Sequence, residues 1–299
     1  MGSFPGHAMS GISFLALATF WTIQQTFNPT YASYQRTGRR GDRMLQRLKR
    51  LPVEGTVVFV IGVIGIIGEQ VYKTWKWRLF DDHGVVVYSD VWQHCTMYAV
   101  FAIYGVSKIA VGTYLKGAER WTKVFLTFAY FVECMLFYFH LHGRTELNIR
   151  LHTLEVLAVF MCVLFSAGEI WFPRDDVLPW LRTWATFLQG TWMLQVGSTL
   201  YHPLRNDDYS WDEDDHLNVK FFSMIFAWHC ILGIVVVTLQ IILIKTTMRC
   251  VFGALPSSYT GLNGDAEENH LVFIGGRNNT SDEECQIFSQ EILTSEEEG

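Results

Sequence analysis

Phe131-Val-Glu-Cys-Met-Leu-Phe-Tyr-Phe-His-Leu-His-Gly-Arg144 reads as the end of a membrane-spanning helix. It carries a carboxylate at Glu133 and an imidazole at His140 in an otherwise aromatic and aliphatic run. Their spacing is close to two helical turns, so both side chains fall on one face. A carboxylate at bilayer depth costs roughly 2.5–3.5 kcal/mol on insertion scales, which turns it toward protein and toward a partner. The reading of the chain therefore depends on what other polar groups that face meets.

Composition supports the membrane setting. Half of the 299 residues are hydrophobic, 15% are aromatic and only 17% are charged, which is unlike an ordinary soluble domain. The net charge of −6 is unevenly spread. Residues 250–299 hold ten acids against one base, Arg277, a balance of −9, which leaves 1–249 at +3. A mildly basic body with an acidic tail gives no footprint for nucleic acid. The six cysteines, Cys95, Cys134, Cys162, Cys230, Cys250 and Cys285, show no CxxC pair and read as thiols rather than disulfides or a cysteine zinc site. No basic n-region precedes the first apolar stretch, so a first span is expected there rather than a cleaved signal peptide.

Seven apolar segments are long enough, or nearly so, to span: 6–27, 54–72, 91–114, 122–142, 152–172, 178–201 and 219–246. The first has the shortest apolar core, Gly11 to Ile23. The second carries Gly62, Gly65 and Gly68, which permit close helix approach and a homodimer face. Lys and Arg set the orientation. Thirteen lie on the side of loop 28–53 and seven on the other, which places the N-terminus outside or in a lumen and the C-terminus in the cytosol. Lys108, inside the third span, is read as snorkelling to the interface. The expected organisation is an all-α, seven-transmembrane-helix bundle over 1–249 and a disordered acidic tail over 250–299. Sequons at Asn278 and Asn279 face the cytosol on this topology and stay unmodified.

Placed by depth, His7, Glu69, His94, His140, His142, His152 and Gln195 fall at one end of their spans. His216 precedes the seventh span and His229 lies two to three turns inside it. His94 and Tyr98 share a face, as do Glu133 and His140. His140 and His142 point in different directions unless the helix has ended, and Gly143 is a suitable C-cap, so His140 is read as the inward one. His7, His142 and His202 read as interfacial residues of an aromatic belt. His83 and His270 read as solvent-exposed.

Three readings of the cluster stand together. One is structural. One is a divalent metal site, zinc or similar, with His94, Glu133, His140, His152 and His229 as ligands and Glu69, Tyr98, Gln195 and Asp215 supporting them. One is a proton or ion relay through Glu133, His140 and His229. The acids of Trp211-Asp-Glu-Asp-Asp-His216 read as a helix cap through Asp214 or Asp215. No HExxH, GxSxG, Rossmann or P-loop motif occurs.

These motifs resemble the transmembrane protein 45 family, also called domain of unknown function 716. The residues that carry the resemblance are Gly6-His7, Gly68-Glu69-Gln70, His94-x-Thr96-Met97-Tyr98, Phe131-x-Glu133, Phe137-Tyr138-x-His140-x-His142-Gly143-Arg144, Leu188-Gln189-Gly190-x-Trp192-x-x-Gln195 and Trp228-His229. They cover about 1–250 and exclude the tail. Gln93 departs from the pattern, which has a second histidine before His94. The resemblance implies a multi-pass, seven-helix protein of the plasma membrane or of Golgi or endolysosomal membranes. It implies no activity.

The expected function is a non-enzymatic membrane protein whose His- and Glu-lined cavity, in the non-cytosolic half, binds a divalent metal or a small polar ligand. The alternatives are a metal-dependent membrane hydrolase acting on lipid, with Glu133 as base, and a trafficking or scaffold protein acting through its tail.

Overall fold

The computed structural model describes residues 3–36, 52–115, 117–141, 143–201, 211–212 and 215–253. His142, His202, His270, Asp214, both sequons and the expected tail beyond residue 253 lie outside them. Seven helices run through the described residues: α1 (Phe4–Arg36), α2 (Val53–Val71), α3 (Ser89–Thr113), α4 (Glu119–Phe139), α5 (Glu146–Trp171), α6 (Leu178–Tyr201) and α7 (His216–Phe252). Each overlies one predicted span. The shortest, α2, has 19 residues and is about 28 Å long, close to the ~30 Å hydrocarbon core.

Among the described residues, six of the seven are long and apolar enough to cross a membrane. The exception is α6, not the first segment, whose Phe4–Thr30 stretch qualifies. The reason lies in packing. Helix α6 is enclosed by its neighbours, with Thr183, Thr186, Leu188, Gln189 and Trp192 all fully buried. A helix that meets protein on most sides has no need of a hydrocarbon surface. Helix α7 is the opposite case. Its Ile231, Ile234, Leu239, Ile242 and Leu243 are exposed, as lipid-facing residues are.

The chain divides into two compact units, one of Met1–Thr22 with Asp42–Gln240, the other of Ile23–Gly41 with Ile241–Gly299. The second contains the last turns of α1 and α7. The first contains the candidate site and the charged network described below. Its core has two apolar clusters. In one, Phe14, Phe101 and Tyr130 stack edge to face at 5.4 and 5.5 Å. In the other, Leu147, Leu151, Leu188, Trp192, Phe222 and Phe226 join α5, α6 and α7.

Glycine sets how closely two helix pairs approach. A Cβ on Gly55 would lie 2.7 Å from the Gly105 carbonyl oxygen, and one on Gly105 would lie 2.7 Å from the Gly55 oxygen. Helices α2 and α3 therefore touch backbone to backbone. Gly65 leaves room for the Tyr98 ring, which a Cβ would meet at 2.4 Å. Gly11 of α1 and Gly190 of α6 make a second such contact, at 2.8 and 2.9 Å. Gly68 meets nothing within 4 Å. The glycine face of α2 is thus used by α3 of the same chain.

Two termini behave as their sequences predict. Helix α4 gives way at His140, and Gly143 takes a left-handed φ of +76° that favours glycine. Asp215 caps α7, its Oδ1 accepting the Leu217 N–H at 2.8 Å. The cysteines need one correction: Cys95, Cys134, Cys162 and Cys230 are free thiols, whereas Cys250 is disulfide-bonded.

Gly55→Ala is expected to lower unfolding free energy by about 1–3 kcal/mol through overpacking at the α2–α3 crossing. Gly68→Ala, in open space, should stay within about 1 kcal/mol of wild type. Detergent-denaturation titrations of the two variants check this. Equal effects would remove the glycine contact as the basis of the crossing.

Candidate functional site

Successive helices alternate in direction, so the N-terminal ends of α1, α3 and α5 meet the C-terminal ends of α2, α4 and α6. Four imidazoles gather at this end. His140 lies 5.3 Å from His94 and 6.0 Å from His152, ring centre to ring centre. His152 lies 6.0 Å from His7, and His7 lies 5.4 Å from the Tyr201 ring. His7, His140 and His152 are buried. Each turns Nδ1 toward an oxygen: Ser3 O at 3.0 Å, Gln93 Oε1 at 2.8 Å and Asn148 O at 2.9 Å. His94 Nδ1 lies 3.4 Å from Glu69 Oε1. An Nδ1–H given to a carbonyl leaves Nε2 as the lone-pair nitrogen. Arg144 uses that lone pair on His140, donating to Nε2 through Nη2 and to the His140 carbonyl through Nε. Asp90 stands 3.8 Å from His140 Nδ1.

The sequence reading left His7 at the interface. The structure buries it in the group, because Gly197 of α6 leaves space there: a Cβ on Gly197 would lie 2.8 Å from that of His7. Gly197 is the signal that would have found it. Gln93, where the chain departs from the resembled pattern, also belongs to the site, through His140.

Glu133 lies deeper. It is 3% exposed, and its Oε2 has no hydrogen-bond partner among the described residues. The Gln189 amide lies alongside it. Glu155 of α5, 1% exposed, is near enough to interact electrostatically with Glu133. Polar groups continue below them in α4–α6. Cys162 Sγ meets Gln189 Oε1 at 3.6 Å, and Tyr130 shares a 2.8 Å hydroxyl bond with Thr186.

The far end of the bundle carries a charged network that the sequence reading missed. Glu54 accepts from Trp21 Nε1 at 2.9 Å and Tyr104 OH at 2.5 Å, and pairs with Lys108 Nζ at 2.8 Å. Lys108 therefore pairs within the protein and does not merely snorkel. Glu169 pairs with Arg182 Nε at 2.5 Å and Lys123 Nζ at 3.3 Å. The Arg182 guanidinium lies 3.9 Å over the Trp21 ring, a cation–π contact that joins the two groups. The overlooked signal was charge inside apolar runs, at Glu54, Glu155, Glu169 and Arg182.

Between the two ends lies a cavity of about 280 Å³. Its walls are one face of α1 and one face of α2, backed by α3, α4 and Met193 of α6. Phe14, Leu17, Phe20, Val57, Ile61 and Phe101 line its length. His7, Ser10, Glu69, His94, Tyr98 and Glu133 line one end, and Glu54 the other. Ser10 and Tyr98 close on each other there at 2.7 Å.

The predicted ligand set is only partly assembled. His94, His140 and His152 come together, with Glu69 beside His94. Glu133 lies in a deeper layer. His229 stands apart, against the Trp192 ring at 5.5 Å. It is thirteen residues along α7, about 20 Å from the helix start, whereas His152 is about 9 Å into α5. Gln195 turns back to Thr199 of its own helix at 3.0 Å. Asp215 is a cap, and Tyr98 faces the cavity. Among the described residues no three His, Cys, Asp or Glu side chains converge as a metal ion requires. The imidazoles form a string, and Arg144 occupies one of its nitrogens.

Long apolar helices with polar side chains turned inward define an integral membrane protein. Its likenesses agree. Residues 119–242 match the model of a family of unknown function, DUF716. Over 253 residues the chain is 25% identical to mouse transmembrane epididymal protein 1A, covering 78% of this chain and 80% of that one. It is 27% identical over 151 residues to human transmembrane epididymal protein 1, covering 49% of this chain and 54% of the relative. The rat protein of that name is 27% identical over 158 residues, half of each chain. The matches thus span about half the length of the human and rat relatives.

Removing one partner of the buried Arg182–Glu169 pair leaves Arg182 without its carboxylate, or Glu169 with Lys123 alone. Arg182→Ala or Glu169→Gln is expected to cost about 3–5 kcal/mol, and a double replacement by apolar residues to recover most of it. Unfolding titrations of the two single variants and of Arg182→Met with Glu169→Leu measure this. A double variant as unstable as the worse single one would contradict the pairing.

Proposed function

We propose that this is a seven-helix, non-enzymatic membrane protein of the transmembrane protein 45 family whose cavity between α1 and α2 binds a small amphipathic ligand. The cavity carries the proposal. It is long, apolar along its walls and polar at the imidazole end, as a site for a molecule with an apolar body and a polar head would be. The Lys and Arg distribution supports a non-cytosolic imidazole end, with the C-terminus in the cytosol. Plasma membrane or Golgi and endolysosomal membranes suit that orientation. Helix α6 is the seventh span, screened from lipid by its neighbours.

A divalent cation such as zinc is the second reading. One feature favours it: each of the four imidazoles directs Nδ1 to an oxygen, which is how metal-ligating histidines are held. Arg144 would have to leave His140. A hydrolase gains no support from this arrangement. Action through the tail would make the cavity structural.

Purified full-length protein, released from mild detergent in a mass spectrometer, tests both readings. Wild type should carry an added single-chain amphiphile. Ser13→Phe, which fills the cavity from α1, should not. Bare protein in both cases would contradict the cavity reading. Zinc near one per chain, lost in His152→Ala, would instead favour the second.

A further inference from the structure

The cavity's charge is one-sided. Among the described residues its lining includes three carboxyl groups, Glu54, Glu69 and Glu133, and two imidazoles, but no Lys or Arg. Two of the carboxyls are already answered. Glu54 is paired with Lys108 and bonded by Trp21 and Tyr104. Glu69 lies beside His94. Glu133 is different: it lines the cavity, is buried, and has Oε2 without a hydrogen-bond partner among the described residues. A buried acceptor left unmet is costly, and a donor brought by a ligand would relieve it. Glu155 stands behind it, and no Lys or Arg of the described residues is assigned to either carboxyl.

Shape narrows the occupant. From His7 to Phe20 the cavity follows thirteen residues of α1, about 20 Å at helical rise. A volume of about 280 Å³ drawn out over that length has the section of one alkyl chain. It lies just below the ~300–1,000 Å³ range of ligand pockets, with room for one chain inside it. We propose that the cavity holds a single-chain cationic amphiphile, a long-chain amine, with its ammonium on Glu133 and its chain along Phe14, Leu17, Val58 and Phe101. The hydroxyls of Ser10 and Tyr98, joined across the same end, stand ready to take further ammonium hydrogens. A fatty acid would bring its carboxylate against Glu69 and is disfavoured there by like charge, whereas an ammonium favours the ionised form of Glu133.

This inference rests on the cavity reading and is tested separately from it. The full chain is placed in nanodiscs of uncharged phosphocholine lipid. The probe is an alkylamine with a photoactivatable diazirine on its chain, compared with the same chain ending in a carboxylate. Amine labelling of α1 and α2 near Leu17 and Val58, exceeding carboxylate labelling by at least about tenfold, is the expected result. Unlabelled long-chain amine should compete and unlabelled fatty acid should not. Glu133→Gln should cut amine labelling about tenfold and leave carboxylate labelling alone. Equal labelling by both heads, or fatty acid competing as well as amine, overturns the cationic assignment and leaves the cavity reading standing. Labelling of these helices by neither probe overturns both. The competition arm uses wild-type protein, so the result does not depend on the folding of Glu133→Gln.

Discussion

A polar side chain held at bilayer depth has no water to turn to, so another helix must answer it. That constraint organises this protein. At one end His7, His94, His140 and His152 arrive from four different elements and lie ring beside ring. At the other, Trp21 of α1 gives its N–H to Glu54 of α2 and its ring face to Arg182 of α6. These partnerships need helix axes drawn close together. The Gly55–Gly105 and Gly11–Gly190 contacts supply that. In a bilayer such packing takes over part of the work that hydrophobic burial does in water.

Between the two polar ends the bundle is not filled. Helices α1 and α2 each turn a strip of one face to the same space, and α3 and α4 close its back. Glu54, held by Trp21, Tyr104 and Lys108, closes one end of that space. The imidazole end is polar and holds Glu69 beside His94. Glu133 sits near that end with one oxygen unmet among the described residues. The resulting polarity, apolar body and acidic head, gives the cavity its chemical character. Beside it, hydrogen bonds to Ser3, Gln93 and Asn148 fix Nδ1 of three of the imidazoles.

Much of the fold was legible in the sequence, because span length and apolarity are written along the chain. Each of the seven helices overlies a predicted segment. Depth was legible too, and so the grouping of His94, His140 and His152 was expected. Rotation and neighbours were harder. His7 could not be told from an interfacial residue without knowing that Gly197 stands opposite. His229 was assigned to the cluster because its helix was taken to begin later than it does. Four helical turns begin at His216, and they carry His229 past the imidazoles to Trp192. The network of Glu54, Glu169 and Arg182 lies at the opposite end of the spans from the histidines, and its only mark in the sequence is charge inside apolar runs.

Cross-linking between helices α1 and α5 tests most directly whether polar side chains of separate spans meet inside the bundle. Cysteines would replace His7 and His152 in a background without other cysteines, with a protease site placed within residues 37–51. A short bifunctional thiol reagent should then hold the two cleaved fragments together on a denaturing gel. The His7→Cys with His229→Cys pair, treated alike, should come apart. Fragments that separate for the first pair, or join equally for both, would contradict the account.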